Sequence, residues 1–327
     1  MHVFTRSRPI ITLALIVVLL IVHSPAYAAT IWFVAPTGDD QHDCQSPATP
    51  CATIQGALAK PGFTSGDSIR IAIGTYIGTG SEVVRLTVDA MLSGGWDIGF
   101  VSQGGSSRID GEGIRRGLTI PAHIAVTIDD LILDHGRDTG GGGGGILNEG
   151  GDLTLVNSTV QQSVSTYPAA GAGGGGIMSH RGTLHLRNTT IRDNHADFSG
   201  GGLWVLGGSA TITNTTILSN TVGNLCCAGS GGGGGIASND ALVTITNSTI
   251  AYNRALNGYI GSGINTSGGY PDASIGILTL NNSTISGNSG VRESMYNLSG
   301  TIHLKNATIS ENQGIALINN AGIIVAG

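Results

Sequence analysis

Charge and aromatic rings are both scarce in this chain: Asp, Glu, Lys and Arg make up 11% of its 327 residues, and Phe, Trp and Tyr 5%. A formal net charge of −6 leaves no basic surface for nucleic acid. Nine prolines against 54 glycines, with no Gly-X-Y period, exclude a collagen-like triple helix. The four cysteines lack zinc-ligand spacing. No glycine run leads into Lys-Ser or Lys-Thr, so none is a phosphate loop. Long hydrophobic runs are absent except for Ile10–Val22, which at thirteen residues is short for a bilayer span. Arg6 and Arg8 precede that run and Ala26-Tyr27-Ala28 follows it, which reads as a secretory signal over 1–28 with cleavage after Ala28. Loss of the two arginines moves the charge from −6 to −8, and the mature chain is expected to be secreted or at the cell surface.

What the chain does have is a repeat. Thr211–Asn220 (TITNTTILSN) recurs with its Asn at 157, 188, 214, 247, 282 and 306, at intervals of 31, 26, 33, 35 and 24 residues. Aliphatic residues stand four and two places before each Asn, for example Leu153 and Leu155, or Val243 and Ile245. Between them lies an opposite-face column: Thr154, His185, Thr211, Thr244, Thr279 and His303. An aliphatic residue follows three places after each Asn, and a second Asn column appears at 194, 220, 253, 288 and 312. Val126–Leu133 is a degenerate copy with Asp130 in the Asn slot. Short β-branched strands between Asn and Gly corners predict an all-β solenoid, a right-handed single-stranded parallel β-helix. Asn157, Asn188, Asn214, Asn247, Asn282 and Asn306 are expected to form a structural ladder pointing inward, which reads their Asn-x-Ser/Thr triplets as architecture rather than glycosylation signals. The Leu-x-x-Leu-x-Leu consensus of a leucine-rich repeat is absent.

Ahead of the repeats, residues 29–76 read as an N-terminal cap and first strand. Cys51–Lys60 suits a short amphipathic helix and Asp67–Ile73 alternates as a strand, with rungs filling 77–327. In an exported protein Cys44 and Cys51, bracketing a turn-rich loop, are expected to pair; adjacent Cys226 and Cys227 are left open between a vicinal disulfide, an intermolecular bond and free thiols. Glycine runs before Ile146, Ile177, Leu203 and Ile236 mark tight backbone, and the length differences between repeats fall just ahead of them, predicting loops along one side. The final Ile323–Gly327 carries no polar cap, so end-to-end self-association is an expected mode of partnering.

The opening FVAPTG, Thr53-Ile-Gln, Gly66-Asp-Ser-Ile, Gly74-Thr-Tyr and the Asn-Ser-Thr rungs together resemble the right-handed parallel β-helix proteins of the pectate-lyase-like superfamily. The Gly-Gly-Gly-Ile and Ile-x-x-Asn alternation is also similar to the repeats of polymorphic outer-membrane adhesins, with Ile here in place of their Phe. The superfamily resemblance implies lyase, hydrolase, adhesin or structural roles. Its lyases hold Ca²⁺ on a carboxylate cluster beside a basic residue, and its hydrolases pair Asp residues. Fifteen of the 21 acidic residues precede Thr154, so such a site belongs to the early rungs. The candidate catalytic residues are Asp129, Asp130, Asp134, His135 and Arg137; the candidate Ca²⁺ ligands are Asp110, Glu112, Asp129, Asp130 and Asp134, with Arg115 and Arg116 nearby. Asp110 lies 20 residues before Asp130, close to one turn. The Asn-Thr-Asp, Gly-His-Gly and Arg-Ile-Lys motifs of the hydrolases are absent. The preferred reading is therefore a non-enzymatic surface protein that offers a Thr/Ser/Asn face to glycans or another cell-surface component and requires no cofactor. An enzyme on acidic polysaccharide and a self-associating structural solenoid are the alternatives. Three or more outward carboxylates beside Arg or Lys would favour the enzyme; loop aromatics lining one groove would favour glycan binding.

Overall fold

The computed structural model describes residues 29–138, 140–166, 173–223, 231–268 and 276–327. The expected leader, Cys226 and Cys227 lie outside them. Among the described residues no helix is long and apolar enough to cross a membrane.

Every strand pairing within the sheets is parallel, and each strand pairs with its counterpart one repeat away, which makes the chain a right-handed parallel β-helix. A regular turn runs through four sheets: Asp152–Val156 in sheet A, Thr159–Gln161 in B, Val164–Ser165 in D and Ile177–His180 in C. Sheet A has eleven described strands, B and C nine each, and D six. Between Ala125 and Lys305 the five-residue strands of sheet A stack without a register shift. The aliphatic columns predicted to face inward do so: Leu153, Leu155, Val160, Ile177, Leu184 and their counterparts are buried in one continuous core. At the N-terminal end the predicted cap is a helix of only five residues, Ile54–Leu58, whose Ile54, Ala57 and Leu58 close the core. Its N-cap Thr53 accepts a hydrogen bond from the Gly56 amide at 2.8 Å. A disulfide joins Cys44 to Cys51 beside it. Asp67, buried here, accepts hydrogen bonds from Thr30, Thr64 and the Trp32 indole, tying the first strand to the second.

The Asn columns correct the inward assignment. Asn157, Asn188, Asn214, Asn247, Asn282 and Asn306 are all exposed. Each adopts a left-handed backbone, with φ between 49° and 52°. That conformation interrupts the alternation of a strand, so the next residue turns inward instead: Ser158, Thr189, Thr215, Ser248 and Ser283 are buried. The asparagines still form ladders, but on the surface and in two runs of three: Asn214 to Asn188 to Asn157, with Asn188 donating to Asn157 at 3.2 Å, and Asn306 to Asn282 to Asn247, with Asn306 donating to Asn282 at 3.1 Å. The same logic at the B/D corner puts a left-handed residue (Gln162, Asp193, Ser219, Tyr252) before the second column. Asn194, Asn220, Asn253 and Asn288 are consequently the interior ladder. Asn253 Nδ2 donates to Asn288 Oδ1 and to the Ile217 carbonyl, both at 3.0 Å, while its Oδ1 accepts from the Asn220 backbone and side chain.

The glycine runs have an equally local cause. Gly143, Gly174, Gly200, Gly233 and Gly261 share positive φ, and a Cβ at any of them would sit 2.1–2.4 Å from the carbonyl oxygen three residues ahead. The segments that follow stack rung on rung, as in Gly174 N to Ser199 O at 2.8 Å.

Removing an amide from the interior ladder strands partners on two neighbouring rungs. Asn253→Ala is expected to destabilise the protein by ~3 kcal/mol, whereas Asn247→Gly, on the surface ladder, changes stability by less than about 1 kcal/mol. Denaturant unfolding of the two variants side by side checks this ordering.

Candidate functional site

Two surfaces emerge where the sequence places chemistry. The first is acidic and lies on the early rungs. Strand Ser107–Asp110 pairs with Leu131–Asp134 so that Asp110 stands beside Asp134, 24 residues on, and not beside Asp130. The αL residue after that strand is His135. Its Nδ1 lies 3.2 Å from Asp134 Oδ1 and 3.8 Å from Asp110 Oδ1. The guanidinium of Arg108, two residues before Asp110, forms an ion pair with the other oxygen of Asp134. Asp110 Oδ1 also accepts the Glu112 amide at 2.8 Å.

The remaining candidates do not join this group. Asp129 and Asp130 occupy the A/B corner, at the far end of Leu131–Asp134 and roughly 13 Å along the chain from Asp134. There Asp129 accepts from Asn157 Nδ2 at 2.9 Å and Asp130 from Gln103 Nε2 at 3.0 Å. Glu112 is paired with Arg115. Arg137 is exposed in sheet D. Arg116 turns away to bind Asp138 at 2.5 Å and the Gly143 carbonyl at 3.0 Å, holding the first glycine run in place. The candidate Ca²⁺ ligands therefore fall at separate places on these rungs, and two carboxylates, Asp110 and Asp134, converge beside Arg108. Arg108 was invisible to the sequence reading because it lies in an irregular rung; its one signal is the Arg-x-Asp alternation that puts it on the face of Asp110.

The second surface is the outer face of sheet A with the adjoining Asn corner. From Thr183 to Lys305 it presents Thr183, Ser209, Thr211, Thr213, Thr244, Thr246, Thr279, Asn281 and Thr301, in columns repeating at about 4.8 Å, interrupted by exposed Leu242 and half-buried Ile277. Its charged or titratable members are Arg187, Lys305, His185 and His303, with no carboxylate among them. Five rungs in register keep its columns aligned. No aromatic ring lies on it. Trp204 packs inside an outer cluster with Leu147 and Met178, Tyr259 is buried, and Trp96 lies under Arg70 at 4.1 Å. Tyr252, at the B/D corner, is exposed.

No family model matches the chain, and no curated protein matches it. Solved structures do. A pectate lyase superposes with a TM-score of 0.44 at 14% identity, over 90% of this chain and 80% of its own. A rhamnogalacturonan lyase gives 0.38 at 11% identity, over 91% and 87%. A rice weevil pectin methyl esterase gives 0.38 at 14% identity, over 88% and 92%. The strand register, rather than these distant likenesses, is what establishes the fold.

Asp130 heads the column that asparagine fills elsewhere. Burial pushes its carboxyl above the usual range, and the neighbouring Asp129 charge pushes it further. A carboxyl raised on folding contributes stability at low pH and loses it as pH rises through the raised value. Asp130→Asn is therefore expected to raise the melting temperature at pH 7, with the gain vanishing below about pH 4. Thermal unfolding of both proteins across pH 3–8 reads this out; a gain that persisted at acid pH would assign it to packing instead.

Proposed function

We propose that this protein is a non-enzymatic glycan-binding solenoid, exported to the outside of the cell, which lays extended polysaccharide along the outer face of sheet A and the exposed Asn ladder. The observation that carries the reading is the register-matched, mainly hydroxyl and amide array from Thr183 to Lys305, repeating at about 4.8 Å. That spacing is comparable with the advance of one sugar ring along an extended polysaccharide. Each polar contact to a sugar hydroxyl is worth roughly 0.5–1.5 kcal/mol net. Binding must therefore accumulate over many rungs, so affinity depends on chain length. Arg187 and Lys305, on rungs whose only neighbouring acid on this face is Asp152, 4.0 Å from His185, extend the range from neutral to anionic polymers. The distant likeness to proteins titled as pectate lyase, rhamnogalacturonan lyase and pectin methyl esterase is compatible with a polysaccharide ligand and carries no further weight.

The test is co-sedimentation of the protein with insoluble polysaccharides, alongside a glycan array of graded chain lengths. Long chains are expected to bind and single sugars not to. Thr211→Glu combined with Thr244→Glu, both on the open face, should weaken polymer binding at least tenfold while shifting the melting temperature by no more than a few degrees. Wild-type affinity in that double variant would sink the reading. Release of unsaturated uronate or reducing sugar from any bound polymer would replace it with an enzymatic one.

A further inference from the structure

The early-rung cluster stands apart from the glycan face and supports an inference independent of it. Asp134 is 0% exposed. Its Oδ1 accepts no hydrogen bond from a described residue, in contrast to the oxygens of Asp67, which take several from the first strand and its neighbours. A buried carboxylate left in that condition is costly unless a cation balances it. Arg108 faces only Oδ2. Oδ1 faces the other way, toward His135 Nδ1 and Asp110, and one ligand atom from each of the three residues lies within 4.8 Å of the other two.

We propose that Asp110, Asp134 and His135 bind a first-row dication of the zinc class. Bonds of about 2.0–2.1 Å to a tetrahedral ion hold its donor atoms roughly 3.3 Å apart. The 3.2 Å and 3.8 Å separations from His135 Nδ1 fall close to that value, so small side-chain adjustments complete the set. The imidazole decides the metal. Ca²⁺ takes six to eight oxygen ligands, whereas a mixed nitrogen and carboxylate set of three suits zinc, cobalt or nickel with a fourth position left to water. Arg108 acts from outside the ligand set, neutralising the second oxygen of Asp134 and fixing its orientation. The ligand set differs from the all-carboxylate Ca²⁺ site that the sequence suggested, because Asp129 and Asp130 belong to another corner.

The full chain, stripped with chelator, is titrated with Zn²⁺ and separately with Ca²⁺ by calorimetry, and Co²⁺ is added as a spectroscopic probe. One equivalent of Zn²⁺ is expected to bind, with Ca²⁺ silent and Co²⁺ giving visible absorption bands. Asp134→Asn should abolish binding but also breaks the Arg108 ion pair and could unfold the rung. His135→Gln keeps the proposal falsifiable, because glutamine occupies the equivalent left-handed position in the next rung at Gln162. It should fold, weaken Zn²⁺ binding at least tenfold and lose the Co²⁺ bands, while Asp129→Asn leaves both unchanged. Equal binding of Ca²⁺ and Zn²⁺, no stoichiometric uptake, or unaltered binding in His135→Gln would each overturn the assignment.

Discussion

Everything in this molecule depends on the obligation of one rung to satisfy the next. A parallel β-helix has no hairpins to close its hydrogen bonds locally, so the backbone groups of each strand, and the side chains of the interior ladder, find their partners about 4.8 Å up or down the stack. The interior ladder through Asn194, Asn220, Asn253 and Asn288 is this obligation in its strictest form. Each amide bonds both to the next amide and to a carbonyl of the rung behind it. The buried Ser and Thr at the other corner repeat the arrangement with hydroxyls, as where Thr215 N donates to Ser248 Oγ. Where the pattern is kept, the outer surface is free to vary. Where it relaxes, in the early rungs, charged side chains enter.

Much of this was legible because the repeat superimposes six copies of one solution. The inward aliphatic columns and the parallel fold followed from alternation alone, since a period of two allows only one assignment of faces. Direction at the corners was not legible. Whether Asn157 or Ser158 points inward depends on a single left-handed residue, and asparagine suits that conformation as well as it suits an interior ladder. The outward position of the first Asn column therefore needed the backbone itself. The acidic rungs were harder still. Asp110 aligns by count with Asp130 but by strand register with Asp134, because the loop at Gly111–Arg115 adds residues that no repeat copy reveals. Arg108 and the detour of Arg116 to Asp138 belong to the same irregular stretch.

The distribution of charge follows from the same division. Carboxylates cluster before Thr154, where irregular loops supply backbone amides and arginines to hold them: Asp97 takes Gly99, Val101 and Ser102, and Asp138 takes Arg116, Gly140 and Gly142. Hydrogen bonds from Ser102 above all hold the Asp97 carboxyl down to about 2. The regular rungs offer no such amides on their outer face, since their backbone groups are consumed by stacking. Uncharged hydroxyls and amides are the side chains such a face can carry in columns without like-charge repulsion between neighbours.

The left-handed corner has a consequence for how such a chain can change. Within a strand, one added residue would turn core side chains to solvent and break the register of every later rung. Between sheets D and C, and between C and A at 268–276, by contrast, extra residues leave the strand register undisturbed. Duplicating one whole unit adds a rung without asking anything new of the core. The protein is thus a ruler that gene duplication can lengthen by single graduations, its length adjustable independently of its stability per unit.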